Sequence, residues 1–279
     1  MSLADAKVAF IGGGNMAQAI GAGLITKGIL KPENIWVSAR TEKTLEYWKN
    51  LGTNTSLNSA ECVGPCSVVF LAFKPHMLDE ALHFVRTEKI KAKRRLFISV
   101  LAGVTLKTLR AKLGCFGQFA VIRTMPNTPL LIGSGITVYC GDSSTVPDDY
   151  SQVHGMFANL GTVEQVQEYQ MNAIGALSGS GPAFGYQIIE ALSDGAVMIG
   201  VPRAMATKFA AQVLIGAAKM VLETGRHPGQ LKDEVCSPGG TTIAGVHEME
   251  DGGVRASMMN AIKAAFERCE ELAEQSEDS

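Results

Sequence analysis

The chain has 279 residues, 46% of them hydrophobic and 19% charged, with a formal net charge of -2. The length suits two domains better than one core, and the balance is that of an ordinary globular protein. Near-neutral charge argues against a nucleic-acid or anionic-membrane partner.

Lys7–Ile11 is a short apolar run ending in Gly12–Ala17, and a helical pattern follows with Met16, Ile20, Leu24 and Ile25 on one face. Gly12, Gly14 and Ala17 occupy the G-x-G-x-x-G/A positions of a dinucleotide fingerprint. They serve a tight turn, room for pyrophosphate, and close packing of helix on strand. The next strand, Asn34–Ser38, runs into Ala39, Arg40 and Thr41. No Asp or Glu stands there to hold a ribose 2′-hydroxyl. Arg40 with the hydroxyls of Ser38 and Thr41 suits a 2′-phosphate, which favours NADPH and leaves NADH possible. The alternative is an arginine solvated at a strand end.

A helix is expected over Leu45–Leu51, closed by Gly52. Ser67–Phe73, Arg95–Leu101 and Phe119–Arg123 are nearly continuous apolar runs, as in parallel strands covered on both faces. Helices are expected between them, near Met77–Arg86 and Leu106–Leu113. This alternation predicts an α/β fold, an N-terminal Rossmann-type doubly wound parallel sheet with its ligand crevice at the strands' carboxyl ends. Gly12–Ala17, Ser38–Thr41, Ala72–Pro75 and Leu101–Gly103 all fall at such ends. Two prolines hold the loop Thr124–Pro129 extended. Asn127 within it either reaches the crevice or satisfies backbone in its own loop. A strand at Gly135–Tyr139, a helix over Pro147–Leu160 and a strand at Thr162–Glu164 complete a first domain, 1–166.

From residue 167 to 279 the pattern is helical. One helix carries Phe184, Ile188, Ile189, Leu192 and Val197, and Gly200–Pro202 breaks it. The next, Ala204–Glu223, is apolar on more than one face and so needs cover on more than one side. An all-α C-terminal dimerisation domain is expected, with a self-contained bundle as the alternative. Ser237–Thr242 (Ser-Pro-Gly-Gly-Thr-Thr) then opens a helix over Ile243–Glu250. A helix start has unpaired N–H groups and a partial positive charge, which suits a carboxylate. Gly239 and Gly240 would let a ligand approach the backbone. The alternative is a capped helix after a tight turn. The last helix is Val254–Glu274, followed by an acidic tail.

Six cysteines, at 62, 66, 115, 140, 236 and 269, lack the His spacing of a zinc set, so no metal is expected. They read as reduced thiols of a cytoplasmic protein, and Met1–Lys7 resembles neither a signal nor a transit peptide. No transmembrane helix is expected.

Oxidising an alcohol needs a proton acceptor such as Lys or His. After Gly175–Pro182 no Lys occurs until Lys208. The histidines at 76, 83, 154, 227 and 247 form no relay; His76 and His247 read as surface or capping residues. An imine with a protonated nitrogen is already electrophilic and needs orientation, a carboxylate anchor and a hydrogen bond to nitrogen. The residues therefore favour C=N over C=O reduction. A 3-hydroxyacid-type dehydrogenase lacks its Lys here, and a non-catalytic NADP-sensing module has no need of the 237–242 loop.

Gly12–Ala17, Lys74-Pro75, Met125–Pro129, Ser178–Pro182, Gly200–Pro202 and Ser237–Thr242 stand in the order and spacing of Δ1-pyrroline-5-carboxylate reductase, which the chain resembles from about Lys7 to Leu272. The resemblance implies reduction of pyrroline-5-carboxylate to L-proline with NAD(P)H, by homodimers of interlocked helical domains, commonly in rings of five dimers. Carried over by position, it implies that Ile11, Gly12, Gly13, Gly14, Asn15 and Met16 hold the pyrophosphate. Ser38 and Arg40 would meet the adenosine ribose or its phosphate, and Asn58 matches a cofactor-side Asn. Ala72, Phe73, Lys74 and Pro75, with Val100, Leu101 and Ala102, would line the cofactor. In the loop bounded by Ser237 and Gly240, Thr241 and Thr242 would receive the substrate carboxylate. The Thr242 hydroxyl would bond the ring nitrogen as the catalytic contact, and Glu168 matches a residue near that nitrogen. Glu234 stands where some relatives have Asn beside the substrate; a carboxylate pointing inward there would repel the substrate's own.

Overall fold

The computed structural model describes residues 3–87, 94–114 and 117–277; Cys115 lies outside the described residues. Two compact units are present, Met1–Gly179 with Ala265–Ser279, and Ser180–Ala264.

The first unit is built on β1 (Val8–Ile11), α1 (Asn15–Thr26), β2 (Ile35–Ser38), α2 (Glu42–Asn50), β3 (Asn54–Ser56), α3 (Ser59–Val63), β4 (Val68–Leu71), α4 (Leu78–Thr87), β5 (Arg95–Ser99), α5 (Leu106–Leu113), β6 (Phe119–Pro126), β7 (Gly135–Gly141), α6 (Pro147–Phe157), β8 (Gly161–Gln165) and α7 (Met171–Ser178). The eight strands form one sheet in the order β3-β2-β1-β4-β5-β6-β7-β8. The chain reverses direction of travel at β1 and β4, and a doubly wound sheet opens its ligand crevice at that switch point.

Strand side chains alternate between the two faces. Val8 and Phe10 enter one buried cluster with Ile20, Val37, Leu45, Trp48 and Phe70. Ala9 and Ile11 enter the other with Val69, Leu71, Leu82, Phe97 and Leu109. Both faces of β1 and β4 are thus covered, which is why these strands read as unbroken apolar runs. Phe10 stacks on Phe70 at 4.6 Å between ring centroids and lies 5.6 Å from Trp48.

The sheet is parallel except at β6–β7, where Met125 pairs with Val138 and Pro126 with Thr137 in antiparallel register. Only residues 127–134 join these strands, too few for the helical crossover a parallel pair requires. That pairing draws Thr124–Pro126, expected in a loop, into β6. Asn127 is buried; its amide donates to the Ser178 carbonyl (2.9 Å) and its oxygen accepts from the Ile136 N–H (2.8 Å). It ties the loop to α7 and β7 and does not reach the crevice. The polar edge strand β3 and the single-turn α3 carry too little apolar periodicity to be foreseen.

At the end of β7, half-buried Asp142 accepts hydrogen bonds from the hydroxyls of Ser144 (2.7 Å) and Thr145 (3.0 Å) and pairs with Arg110. Burial pushes its carboxyl up, but the bonds from Ser144, Arg110 and Thr145 outweigh that and hold it below the usual range.

The second unit comprises α8 (Gly181–Met198), α9 (Arg203–Thr224), α10 (Pro228–Val235), α11 (Thr241–Asp251) and the start of α12 (Val254–Glu277), whose end from Ala265 belongs to the first unit. Helices α8 and α9 pack on each other through Ser193, whose hydroxyl lies 3.0 Å from that of Thr207 and accepts from Arg203 (2.8 Å). Among the described residues of this unit only Ser193, Ala206 and Ala210 are buried. Leu192, Phe209, Val213, Met220 and Leu222 are exposed. Within one chain these helices have no core of their own, which removes the self-contained bundle.

Candidate active site

The loop from β1 to α1 is shaped by the neighbours of its glycines. Gly12 has φ +97°, and a Cβ there would lie 2.3 Å from the Ala72 carbonyl oxygen. The approach is fixed by the Ala72 N–H bonding the Ile11 carbonyl (2.8 Å) and the Gly12 N–H bonding the Ser38 carbonyl (2.9 Å). Gly12 thus belongs to the backbone, a position only glycine fills without strain. Gly14 differs: no atom lies within 4 Å of where its Cβ would stand. It is the N-cap of α1, supplies no capping side chain, and no acidic residue occupies the first turn. The first N–H groups of α1, from Asn15 through half-buried Met16 to buried Ala17, therefore keep their capacity for an anion.

Around this helix start the other expected cofactor residues fall at strand ends. Arg40 is exposed just beyond β2. Ser38 is buried, with its hydroxyl 3.1 Å from that of Ser59 and 3.4 Å from the Phe10 carbonyl. Its hydroxyl thus ties the end of β2 to the start of α3 and to β1. Asn58 caps α3, its oxygen accepting from the Ala60 N–H (2.9 Å). Beyond β4, Ala72, Phe73 and Pro75 are half-buried and Lys74 is exposed. Beyond β5, Val100 is half-buried, Leu101 buried and Ala102 exposed.

Glu168 is half-buried and already engaged. One of its oxygens accepts from the Leu106 N–H at the start of α5 (2.6 Å) and lies 3.6 Å from the buried Arg123 guanidinium. Arg123 also donates to Asn172 (2.7 Å), which donates to Glu270 (2.7 Å). Glu168 thus caps a helix and balances a buried cation, whatever else it does. Sequence spacing did not show this because the partners lie far apart in the chain.

In the second unit, α11 begins at Thr241 with Gly240 as N-cap, again without a side-chain cap or an acidic first turn. The capped-helix alternative is not what forms: neither the Ser237 nor the threonine hydroxyls close the helix. Gly239 has φ +67°, and a Cβ on Gly240 would lie 2.3 Å from the Ser237 hydroxyl oxygen. The two glycines let the turn fold tightly on Ser237, whose carbonyl accepts from the Gly240 N–H (3.0 Å). Thr241 is exposed and Thr242 half-buried. Glu234 is paired with Arg226, whose other nitrogen donates to it at 3.1 Å, and this bond holds its carboxyl below the usual range. The Glu234 charge is therefore balanced by Arg226, a residue with no signal in the sequence pattern. His76 and His247 are exposed, the latter 3.7 Å from Asp251 one turn away. Among the described residues no group of three or more His, Cys, Asp or Glu side chains could hold a metal.

Residues 7–103 match the family described as NADP oxidoreductase, coenzyme F420-dependent, and residues 168–272 match that described as pyrroline-5-carboxylate reductase dimerisation. A pyrroline-5-carboxylate reductase of Arabidopsis thaliana is 39% identical over 269 residues, 96% of each chain. One from Methanosarcina acetivorans is 42% identical over 267 residues, 95% of this chain and 97% of the relative.

The chain belongs to the pyrroline-5-carboxylate reductase family.

The solved pyrroline carboxylate reductase of Plasmodium falciparum, with NADP bound, superposes with a TM-score of 0.86 at 28% identity over 97% of this chain and 99% of its own. As a pyrroline-5-carboxylate reductase family member, this chain is an oxidoreductase with NADP as its cofactor. Its residues fit that group: a glycine cradle, an open helix start free of carboxylates, and an exposed Arg40 at the end of β2. The chain forms a homodimer through the helical segment that carries the dimerisation match. Among the described residues α9 alone is long and apolar enough, by length and composition, to cross a membrane, and only 11% of its apolar stretch is buried within one chain. A partner helical domain is the cover that such a surface calls for.

Proposed function

We propose that the starts of α1 and α11 are the two anion seats of this reductase, for the cofactor pyrophosphate and the substrate carboxylate. The reaction is the reduction of Δ1-pyrroline-5-carboxylate to L-proline. Bound NADPH supplies the hydride, which adds to the carbon of the ring C=N. The chain binds and orients. The N–H groups of Thr241 and Thr242 hold the carboxylate against the partial positive charge of the helix start. The Thr242 hydroxyl accepts a hydrogen bond from the protonated ring nitrogen, keeping the proton on that atom and the carbon electrophilic. Ser237 and Gly240 set the turn that presents these groups. No lysine or histidine base is required, in keeping with the exposed positions of His76, His247 and Lys208.

The observation that carries this reading is the start of α11: two glycines, no side-chain cap and no carboxylate, with Thr242 half-buried at the second position. Thr242→Ala is expected to lower kcat/KM about 10-fold, the scale of one hydrogen bond to a charged group, and Thr242→Ser to restore most of it. Unchanged kinetics in Thr242→Ala would remove the role.

Arg40 would hold the 2′-phosphate, supported by its exposure and by the absence of a carboxylate at the end of β2. A ring of five dimers is part of the same proposal, supported by the whole-chain match to the family; a dimer mass in light scattering at working concentration would remove it. Placement in the cytoplasm is supported by the free, buried thiols of Cys62, Cys66 and Cys140, each pushed up to about 12, chiefly by burial. Fractionation that recovers the protein in another compartment would refute it.

A further inference from the structure

We propose that Trp48 is a positioning residue for the cofactor loop: its indole pins the Gly13 peptide so that the N–H groups beyond it face the pyrophosphate. The proposal rests on the assignment of Gly12–Ala17 to that pyrophosphate.

Trp48 lies on α2 and is fully buried. Its indole N–H donates to the Gly13 carbonyl across 35 positions of sequence, at 3.0 Å. The Gln18 side-chain amide donates to the same oxygen at 3.1 Å. Two side-chain donors on one loop carbonyl are more than packing demands. In a planar trans peptide the C=O and the following N–H point in opposite directions. Drawing the Gly13 oxygen inward therefore turns the Gly14 N–H the opposite way; Gly14 itself is exposed, with open space where a Cβ would stand. It also keeps a carbonyl dipole, which would repel phosphate oxygens, away from the seat.

The surroundings are cut to the indole. A Cβ on Gly21 of α1 would stand 2.4 Å from the far edge of the Trp48 ring, and one on Gly13 would stand 2.9 Å from its nitrogen. The ring flanks Phe10 of β1. The first strand, the loop and the first helix thus all meet this side chain. An apolar residue at position 48 would fill the core equally well but would leave the Gly13 carbonyl with the Gln18 amide alone.

The test is made on the full-length dimer. Trp48→Phe is expected to raise the NADPH Kd about 3- to 10-fold, the scale of one hydrogen bond. Substrate KM and kcat at saturating NADPH should stay within about twofold, because the substrate seat is untouched. Affinity for adenosine 2′-monophosphate, which lacks the pyrophosphate, should not change. An unchanged NADPH Kd, or an equal loss for both ligands, would overturn the proposal. Should Trp48→Phe fail to fold, benzothienylalanine incorporated at position 48 in a Trp36→Phe chain keeps the ring shape and removes only the N–H, with the same two outcomes. Gly14→Ala separates the layers. If it weakens NADPH binding and the Trp48 variants do not, only the positioning role falls; if it leaves NADPH binding intact, the pyrophosphate assignment falls.

Discussion

Gly12 and Gly14 share one motif, yet the structure assigns them opposite modes of failure. In Gly12→Ala the new Cβ would lie 2.3 Å from the Ala72 oxygen, against ordinary contact from 3.4 Å, so something must move by about 1 Å. The neighbour is backbone, held by the Ala72 N–H to Ile11 bond at 2.8 Å, and cannot move without opening the β1–β4 ladder. A left-handed φ on a residue with a Cβ adds about 1–2 kcal/mol, and overpacking about 1–3 kcal/mol. A loss of about 2–4 kcal/mol lowers Tm on the order of 10 °C for a chain of this size. Gly14→Ala meets no atom within 4 Å and has φ -76°. Its cost to the cofactor-free protein is a weaker N-cap, roughly 0.5 kcal/mol. Its cost to binding is a methyl group on the approach to the α1 start, expected to raise the NADPH Kd about 10-fold, or about 1.4 kcal/mol. The assay is thermal unfolding at one protomer concentration, with and without NADPH. Gly12→Ala should melt early in both; without NADPH Gly14→Ala should melt within about 2 °C of the parent, and it should lose about 1.4 kcal/mol of the stabilisation that NADPH confers. A Gly14→Ala protein that NADPH stabilises as fully as the parent would refute the loop geometry as a pyrophosphate seat. A Gly12→Ala protein with parental Tm would refute the backbone argument.

Arg40→Ala should raise the KM for NADPH well above its effect on the KM for NADH, read in parallel steady-state assays; an equal effect on both would remove the 2′-phosphate contact. Asp142 has a folded pKa below its unfolded value, so its contribution is fully present at neutral pH and is lost as pH falls below about 4 towards the folded pKa. Asp142→Asn should therefore lower Tm at pH 7 and flatten its decline on acidification, and a parallel decline in both proteins would contradict the assignment. Phe209 and Val213 stand one turn apart on the exposed side of α9. Changing both to Glu should shift sedimentation from dimer towards monomer, while a mass unchanged at low micromolar concentration would place this stripe outside the interface.

The Trp48 side chain of α2 packs on the Gly12–Ala17 loop from far along the chain, and no local pattern announces it. The fingerprint Gly12–Ala17 was legible because strand, glycine turn and helix are adjacent in the chain and their periodicities change within a few residues. The apolar runs at β1, β4 and β5 were legible for a related reason: a strand covered on both faces has no polar side to interrupt it. The helical half was legible as an interface because α9 is apolar beyond one stripe, and the exposed Phe209, Val213 and Leu222 agree. The turn Ser237–Thr242 was legible as an anion seat or a cap, and only the structure shows that no side chain closes the helix at Gly240.

Other features depended on residues that meet only once turns, strands and helices are in place. Trp48 bonds Gly13, Glu168 caps Leu106, Asn127 bridges Ser178 and Ile136, and Arg226 neutralises Glu234. None of these pairs has a local signature, because each forms only after strands and helices have set the directions of their side chains. Ser38 makes the same point: its position at the end of β2 followed from the strand pattern, but its burial followed from the register of β2 against β1. The sequence by itself determined the order of the apolar strands and longer helices, the cofactor class and the surface that needs a partner, since those follow from periodicity and charge along the chain. The tertiary structure decided which polar groups are already engaged and which helix starts are left with open N–H groups, since hydrogen bonds are satisfied in space and not along the sequence.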